Sequence, residues 1–127
     1  MEKEMVGERV RNFRELTVWQ KGIKLAKEIY ALTSTFPSQE SFGLVNQLRR
    51  AAVSVPSNIA EGQARPHRAD FVRYLDISLG SLAEIETQLI LSQEFGYLQP
   101  PKTENAESLI LEIRKMLYGL IKSLPNR

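Results

Sequence analysis

The residues of this chain that could carry chemistry are arginines, not catalytic or metal-binding side chains. Its 127 residues include no cysteine and one histidine, His67. Thiolate zinc sites, iron–sulfur clusters and cysteine nucleophiles are therefore excluded, and a Ser-His-Asp triad would depend on His67 alone. A di-metal site in a helical bundle needs paired Glu-x-x-His motifs, which the sequence lacks. We therefore predict a protein that is not an enzyme and that holds no metal and no cofactor.

Arginines near the middle of the chain form a candidate binding set for nucleic acid. Residues 49–73 carry five arginines against two acids, whereas residues 76–112 carry seven acids against one lysine. Arginine binds phosphate through parallel hydrogen bonds, so a cluster of arginines can grip RNA or DNA. Pairing with Glu61, Asp70 or the acids of a neighbouring subunit is the alternative, since exposed charges are commonly solvated or paired. The candidate residues are Arg49, Arg50, Arg65, Arg68 and Arg73.

The elements that position these arginines are predicted to be four helices. Apolar residues recur at steps of three and four in four segments, and no segment alternates as a strand does. Short connections that contain proline or glycine make neighbouring helices antiparallel. The sequence therefore predicts an all-α fold, an up-and-down antiparallel four-helix bundle. The predicted helices lie near residues 16–36, 38–61, 66–95 and 103–124.

The chain ends and Pro56 complete the predicted organisation. Residues 1–15 hold four acids and four bases, which is typical of a flexible charged arm, and residues 16–127 are predicted to form a single domain. Pro56 removes a backbone hydrogen bond inside the second helix at a cost of about 3 kcal/mol, so we expect a kink there. Ser54 and Asn58 can satisfy the freed backbone groups. No segment approaches the roughly 20 apolar residues of a membrane span, and we expect a cytoplasmic protein.

The first and third predicted helices are apolar on two sides. On a helical wheel, each turns one apolar face to the core and a second stripe away from it. Such stripes favour head-to-tail contacts between copies of the chain, although the N-terminal arm or the loops could cover them instead. The first helix is expected to face the core with Trp19, Ile23, Ala26, Tyr30 and Thr33. The candidates for the subunit interface are Val18, Leu25, Leu32, Ile77, Glu84, Leu91 and Phe95.

A specific sequence signature occupies residues 47–62, which read QLRRAAVSVPSNIAEG. This run resembles the 23S rRNA intervening-sequence family of bacterial proteins, and the resemblance extends over about residues 13–98. It implies a four-helix bundle that assembles into ring-like pentamers and has no attached enzymatic activity. It also implies a relation to the accessory variability proteins of diversity-generating retroelements, which associate with nucleic acid.

Together these observations predict a non-enzymatic homo-oligomer, a pentamer by resemblance, that associates with RNA or DNA through its basic surface. The alternative is a ring-shaped scaffold that recruits a partner protein and binds no nucleic acid. An enzyme whose substrate leaves no motif in the sequence is a third hypothesis. Salt separates the first two, because affinity for phosphates falls steeply with ionic strength and contact between apolar surfaces does not.

Overall fold

The computed structural model describes residues 12–126, which contain four long helices and no strand. Two turns of 3-10 helix precede the first and second of them. The predicted all-α four-helix bundle is confirmed. The helices are α1 (Thr17–Thr33), α2 (Leu44–Gln63), α3 (Arg68–Glu94) and α4 (Pro100–Ser123).

Hydrogen bonds between α2 and α3 show the antiparallel order of the bundle. Early in α2, the side chain of Gln47 accepts a hydrogen bond from Gln88, late in α3. Further along α2, the carbonyl of Val55 accepts from the hydroxyl of Ser78, which is earlier in α3. The same reversal relates α3 to α4 and α1 to α4, so each helix runs opposite to both of its neighbours.

A continuous apolar core runs along the bundle axis and is built from all four helices. Burying one large aliphatic or aromatic side chain contributes about 1.5–3 kcal/mol, so these positions dominate the stability of the fold. The largest side chains that are essentially inaccessible to solvent are Leu25, Ile29, Leu48, Ile59, Phe71, Leu75, Leu82, Ile85, Leu89, Ile110, Ile113 and Leu117.

The predicted orientation of α1 is wrong. Tyr30 and Ile23, expected in the core, expose 44% and 37% of their surface. The stripe expected to point outward is instead buried: Leu25 is fully inaccessible, and Val18 and Leu32 are nearly so. Both faces of α1 are apolar, so periodicity alone cannot choose between them. The expected core set had mixed outcomes: Thr33 is buried, Trp19 and Ala26 are partly buried, and Ile23 and Tyr30 are exposed.

Contact between α1 and α2 explains which face of α1 turns inward. Gly22 of α1 lies against the ring of Pro56, where an added Cβ would stand 3.3 Å from the Pro56 Cβ. The absence of a side chain at Gly22 therefore lets the two helices approach closely. α2 continues through Pro56 from Leu44 to Gln63, and the predicted kink is not confirmed. Near the proline, the Asn58 amide donates to the Ser54 carbonyl at 2.8 Å.

The start of the described chain is held against α1. Phe13 packs its ring on Trp19 with centroids 5.2 Å apart, and Leu16 is buried. Residues 1–11 of the predicted charged arm lie outside the described residues, so the arm stays a prediction. None of the helices within residues 12–126 combines the length and the apolar character needed to cross a membrane.

Candidate nucleic-acid interface

The structure divides the five candidate arginines into two groups. Arg49 and Arg50 lie in the N-terminal half of α2, and the other three lie around the turn between α2 and α3. With a rise of 1.5 Å per residue, Arg49 is about 21 Å along the axis from the end of α2 at Gln63. The single set of candidate arginines is therefore divided between two separate clusters. We call them the groove arginines, Arg49 and Arg50, and the turn arginines, Arg65, Arg68 and Arg73.

Arg68 caps the C-terminal end of α4. Its Nε donates to the carbonyl of Leu124 at 3.2 Å, and its Nη2 donates to the carbonyl of Ile121 at 3.1 Å. The last carbonyls of a helix have no partner within the helix and carry partial negative charge, so a cation there stabilises α4. Arg68 therefore joins the beginning of α3 to the end of α4.

Arg65 and Arg73 share a single aromatic partner, Tyr74. The guanidinium of Arg65 lies 5.1 Å from the centroid of the Tyr74 ring and donates to its hydroxyl at 3.0 Å. The guanidinium of Arg73 lies 4.6 Å from the same centroid. Arg65 also pairs with Glu61, one turn earlier in the chain. The phenol of Tyr74 and then the hydrogen bond that Arg65 donates to Glu61 raise the pKa of Arg65, so this side chain stays charged.

Arg49 is anchored to the C-terminal end of α1. Its Nε donates to the hydroxyl of Thr33 at 2.9 Å, and its Nη2 donates to the carbonyl of Tyr30 at 3.3 Å. The guanidinium also stacks on the Tyr30 ring, with 4.4 Å from its carbon to the ring centroid. Its neighbour Arg50 is exposed and makes no hydrogen bond or ion pair within residues 12–126.

Both groove arginines line an open groove of about 720 Å³ between α1 and α2. The lining residues include these two cations and no acid. Cations in an acid-free concavity favour an anionic ligand, because no carboxylate in the lining neutralises their charge. We call this feature the α1–α2 groove; it is lined by Tyr30, Ser41, Val45, Asn46, Arg49, Arg50, Val53, Ser54 and Asn58.

The loop that starts α2 holds one end of the groove. Glu40 accepts from the backbone N–H of Leu44 at 3.2 Å and from the hydroxyl of Tyr97 at 2.7 Å. Its carboxylate therefore caps α2 and ties it to the loop between α3 and α4. The hydrogen bond to Glu40 raises the pKa of Tyr97. Phe42 lies in the same loop, directly after the groove residue Ser41, and exposes 96% of its surface.

A polar seam joins α2 to α3 beside the groove. The hydroxyl of Ser81 donates to that of Ser54 at 2.8 Å, and Gln88 donates to Gln47 and Glu84. A second cleft of about 340 Å³ opens here, lined by one cation and one acid, Arg50 and Glu84, among polar side chains. Opposite charges on its walls make it less suited to an anion than the α1–α2 groove.

The exposed apolar residues lie mostly on α3 and α4. Of the interface candidates, Val18, Leu25 and Leu32 are wrong because they lie inside the protomer, as described above. The outer stripe of α3 is exposed as expected, with Glu84 between its apolar members. This α3 stripe comprises Ile77, Leu91 and Phe95.

A second exposed apolar patch was missed from the sequence. It crosses the α3–α4 boundary, where Glu86 and Arg114 form an ion pair at 2.8 Å. Leu111 and Tyr118 are seven residues apart, a spacing that places them on one face of α4 and that could have predicted the patch. This α3–α4 patch comprises Ile90, Leu111 and Tyr118, each at least half exposed.

Metal or catalytic chemistry in this chain would depend on clustered ligand residues or on His67. Within residues 12–126, no three side chains of the His, Cys, Asp and Glu types lie together as a metal site requires. His67 is exposed and precedes the first residue of α3 without capping it.

Comparison with known proteins places this geometry in a family. A family model described as 23S rRNA-intervening sequence protein matches residues 14–119. The chain belongs to this family. Its fold is also similar to a crystal structure from Bacteroides thetaiotaomicron, a protein of unknown function from the S23 ribosomal protein family. The two are 29% identical with a TM-score of 0.74, over 84% of this chain and 99% of the other. No curated protein matches the sequence.

Proposed function

We propose that this member of the 23S rRNA-intervening sequence family is a non-enzymatic oligomer that associates with RNA or DNA through the groove arginines. The supporting observation is the α1–α2 groove, where Arg49 and Arg50 stand without an acid. Arg49 is held by two hydrogen bonds and a ring, so less rotamer entropy is lost when it binds a phosphate. Two of the turn arginines fit this role less well, because Arg65 already pairs with an acid and Arg68 already donates to two helix carbonyls.

The family description adds support from another direction. It refers to the intervening sequences of 23S rRNA, and the similar crystal structure carries a ribosomal-protein family name. If the nucleic acid is ribosomal RNA, the protein acts in the cytoplasm. The charge of the chain is only +2, so any interface with nucleic acid must be local, as the groove is.

Self-assembly is the second part of the proposal. The α3 stripe and the α3–α4 patch lie on different sides of α3, about 120° apart on a wheel of 100° per residue. Two different apolar patches on one molecule suit head-to-tail contacts, which close into a ring when the rotation permits. The resemblance described above favours a pentamer. In such a ring every subunit presents its own α1–α2 groove.

The test of nucleic-acid binding combines salt with matched arginine variants. We expect affinity for a labelled RNA to fall with rising salt, with a log–log slope of about −0.7 to −0.9 per phosphate contact. Arg50→Gln should reduce both the affinity and the slope, whereas Arg73→Gln at the turn should change them little. Equal losses in the two variants would remove the preference for the groove, and binding that ignores salt would remove the phosphate contacts.

The assembly part is tested by the molecular mass in solution. Light scattering should give a multiple of the 14.5 kDa chain at micromolar concentration, with five copies expected. Leu91→Lys and Leu111→Lys, one in each patch, should each release smaller species, whereas Lys27→Gln on the exposed side of α1 should not. A wild-type monomer would overturn the assembly.

A protein-interaction scaffold without nucleic acid is the second candidate function. It is favoured by the acids of residues 76–112, which repel phosphates, and by the exposed Phe42 and the apolar patches. Partner capture that persists at high salt, together with no affinity for RNA or DNA, would support this function in place of the first.

A further inference from the structure

The α1–α2 groove contains planar groups as well as cations. Tyr30 contributes a half-exposed ring, and the guanidinium of Arg49 is stacked on it at 4.4 Å. A guanidinium held in this way presents a flat cation to whatever enters the groove. Val53, 44% exposed, adds an apolar wall. This combination provides more than the point charges that a phosphate backbone alone requires.

Flat groups in a basic groove bind nucleobases that are not already stacked in a duplex. Unpaired bases stack on aromatic rings and on arginine planes, whereas the bases of a duplex offer no free face. The groove also carries amide and hydroxyl groups, from Asn46, Asn58 and Ser41, that can meet the polar edges of a base. A duplex, by contrast, could contact the two groove arginines through its phosphates, but its bases could not stack on the Tyr30 ring.

Phe42 extends the stacking surface along one end of the groove. A phenyl ring that is 96% exposed gains nothing from the core, and its backbone neighbour Ser41 lines the groove. The loop that carries Phe42 is held by Glu40, which bonds to Leu44 and Tyr97. The ring therefore projects from a supported turn next to the groove residue Ser41.

We propose that the α1–α2 groove binds unpaired, single-stranded nucleic acid. One base stacks on the Tyr30–Arg49 pair, a neighbouring base stacks on Phe42, and Arg50 contacts the phosphate. The inference rests on the proposed function, because it assigns a class of nucleic acid to the same surface. It goes further by making stacking, in addition to charge, a source of affinity.

The test compares one RNA strand in two states. A fluorescein-labelled RNA of about 12 nucleotides is titrated alone and as a blunt duplex with its complement, and anisotropy gives the affinity of each. We expect the single strand to bind about 10-fold more tightly than the duplex, because only its bases can stack. Equal affinities, or a preference for the duplex, overturn the inference.

Variants of Tyr30 and Arg49 separate stacking from charge. Tyr30→Leu should lower the affinity for the single strand about 10-fold and leave the affinity for the duplex unchanged. Tyr30→Phe keeps an aromatic ring, so it should bind the single strand as tightly as wild type. Arg49→Lys keeps the charge but removes the plane, so it should weaken the single strand selectively. Tyr74→Leu, which removes the other tyrosine–arginine stack at the turn between α2 and α3, is the matched control. Thermal unfolding of every variant shows whether the fold survives.

The remaining outcomes distinguish this inference from the proposed function. If Arg50→Gln weakens RNA binding while Tyr30→Leu and Arg49→Lys do not, the stacking inference fails and the proposed function stands. If no RNA or DNA binds, both fail. Displacement of the strand by inorganic phosphate or by oligoglutamate at the same concentration as by unlabelled RNA also overturns the inference, since the groove would then recognise only an anion.

Discussion

At the turn between α2 and α3, Arg65 and Arg68 bond to other groups of the protein, whereas in the α1–α2 groove the side chain of Arg50 is exposed to solvent. Arg68 donates to two carbonyls of α4, and Arg65 pairs with Glu61. Both regions belong to one arginine-rich stretch of the sequence. The difference teaches that the number of arginines in a segment says little about binding until the internal partners of each arginine are known.

The largest effect on stability is expected at Gly62, which lies in the last turn of α2 and packs against Phe71 and Tyr74. A Cβ there would stand 2.8 Å from Phe71 Cδ1 and from Tyr74 Cβ, a clash that the buried site cannot relieve. Gly62→Ala should therefore lower the free energy of unfolding by about 2 kcal/mol. Denaturant titration measures it.

Gly80 provides the matched control for Gly62. It lies inside α3 with nothing within 4 Å of an added Cβ, so Gly80→Ala should raise stability by up to about 1 kcal/mol. A Gly62→Ala protein as stable as wild type would show that the turn is loosely packed. The contrast between a structural turn and a binding groove would then be lost.

The next effect concerns Arg68 and the end of α4. Arg68→Met removes two hydrogen bonds from a charged group to the carbonyls of Ile121 and Leu124, so we expect a loss of about 1.5 kcal/mol in unfolding free energy. Affinity for RNA should not change. A variant that keeps its stability but loses RNA binding would move the functional surface to the turn, against the comparison made above.

Arg50 should behave in the opposite way. Arg50→Gln should leave the free energy of unfolding within about 0.5 kcal/mol of wild type, because the side chain has no partner within residues 12–126. Its affinity for RNA should fall about threefold to tenfold through loss of one phosphate contact. Parallel measurements of unfolding and anisotropy check this reversal, and a large loss of stability would contradict it.

The smallest effect is a pH dependence at the end of the groove. Since the pKa of Tyr97 is raised above 10.0, folding favours the protonated phenol, and the stability from its bond to Glu40 is complete below about pH 10. That stability should disappear as the pH rises through the raised pKa. Thermal unfolding between about pH 8 and about pH 11 should show a smaller alkaline loss in Tyr97→Phe than in wild type. Equal losses would show that the bond to Glu40 contributes nothing.

Much of the fold could be predicted from the sequence. Of the two exposed apolar patches, one could be predicted and the other could not. The steps of three and four identified the buried faces of α2, α3 and α4. Although α3 is apolar on two sides, five of its large apolar residues lie on the buried side and fewer lie in the exposed stripe. The α3 stripe was also found, since Ile77 and Leu91 lie opposite that side. The α3–α4 patch was missed because it takes residues from two helices, and a pattern within one helix cannot show which boundary two exposed residues share.

The sequence by itself determined that the chain forms four helices, where most of them bury their apolar residues, and to which family it belongs. These properties are local, or are carried by a contiguous run such as residues 47–62. Tertiary structure decided the rotation of α1, because Gly22 must meet Pro56, and it separated the groove arginines from the turn arginines. Both outcomes depend on which atoms of distant segments come within a few ångströms of each other, and periodicity along a single helix contains no such distances.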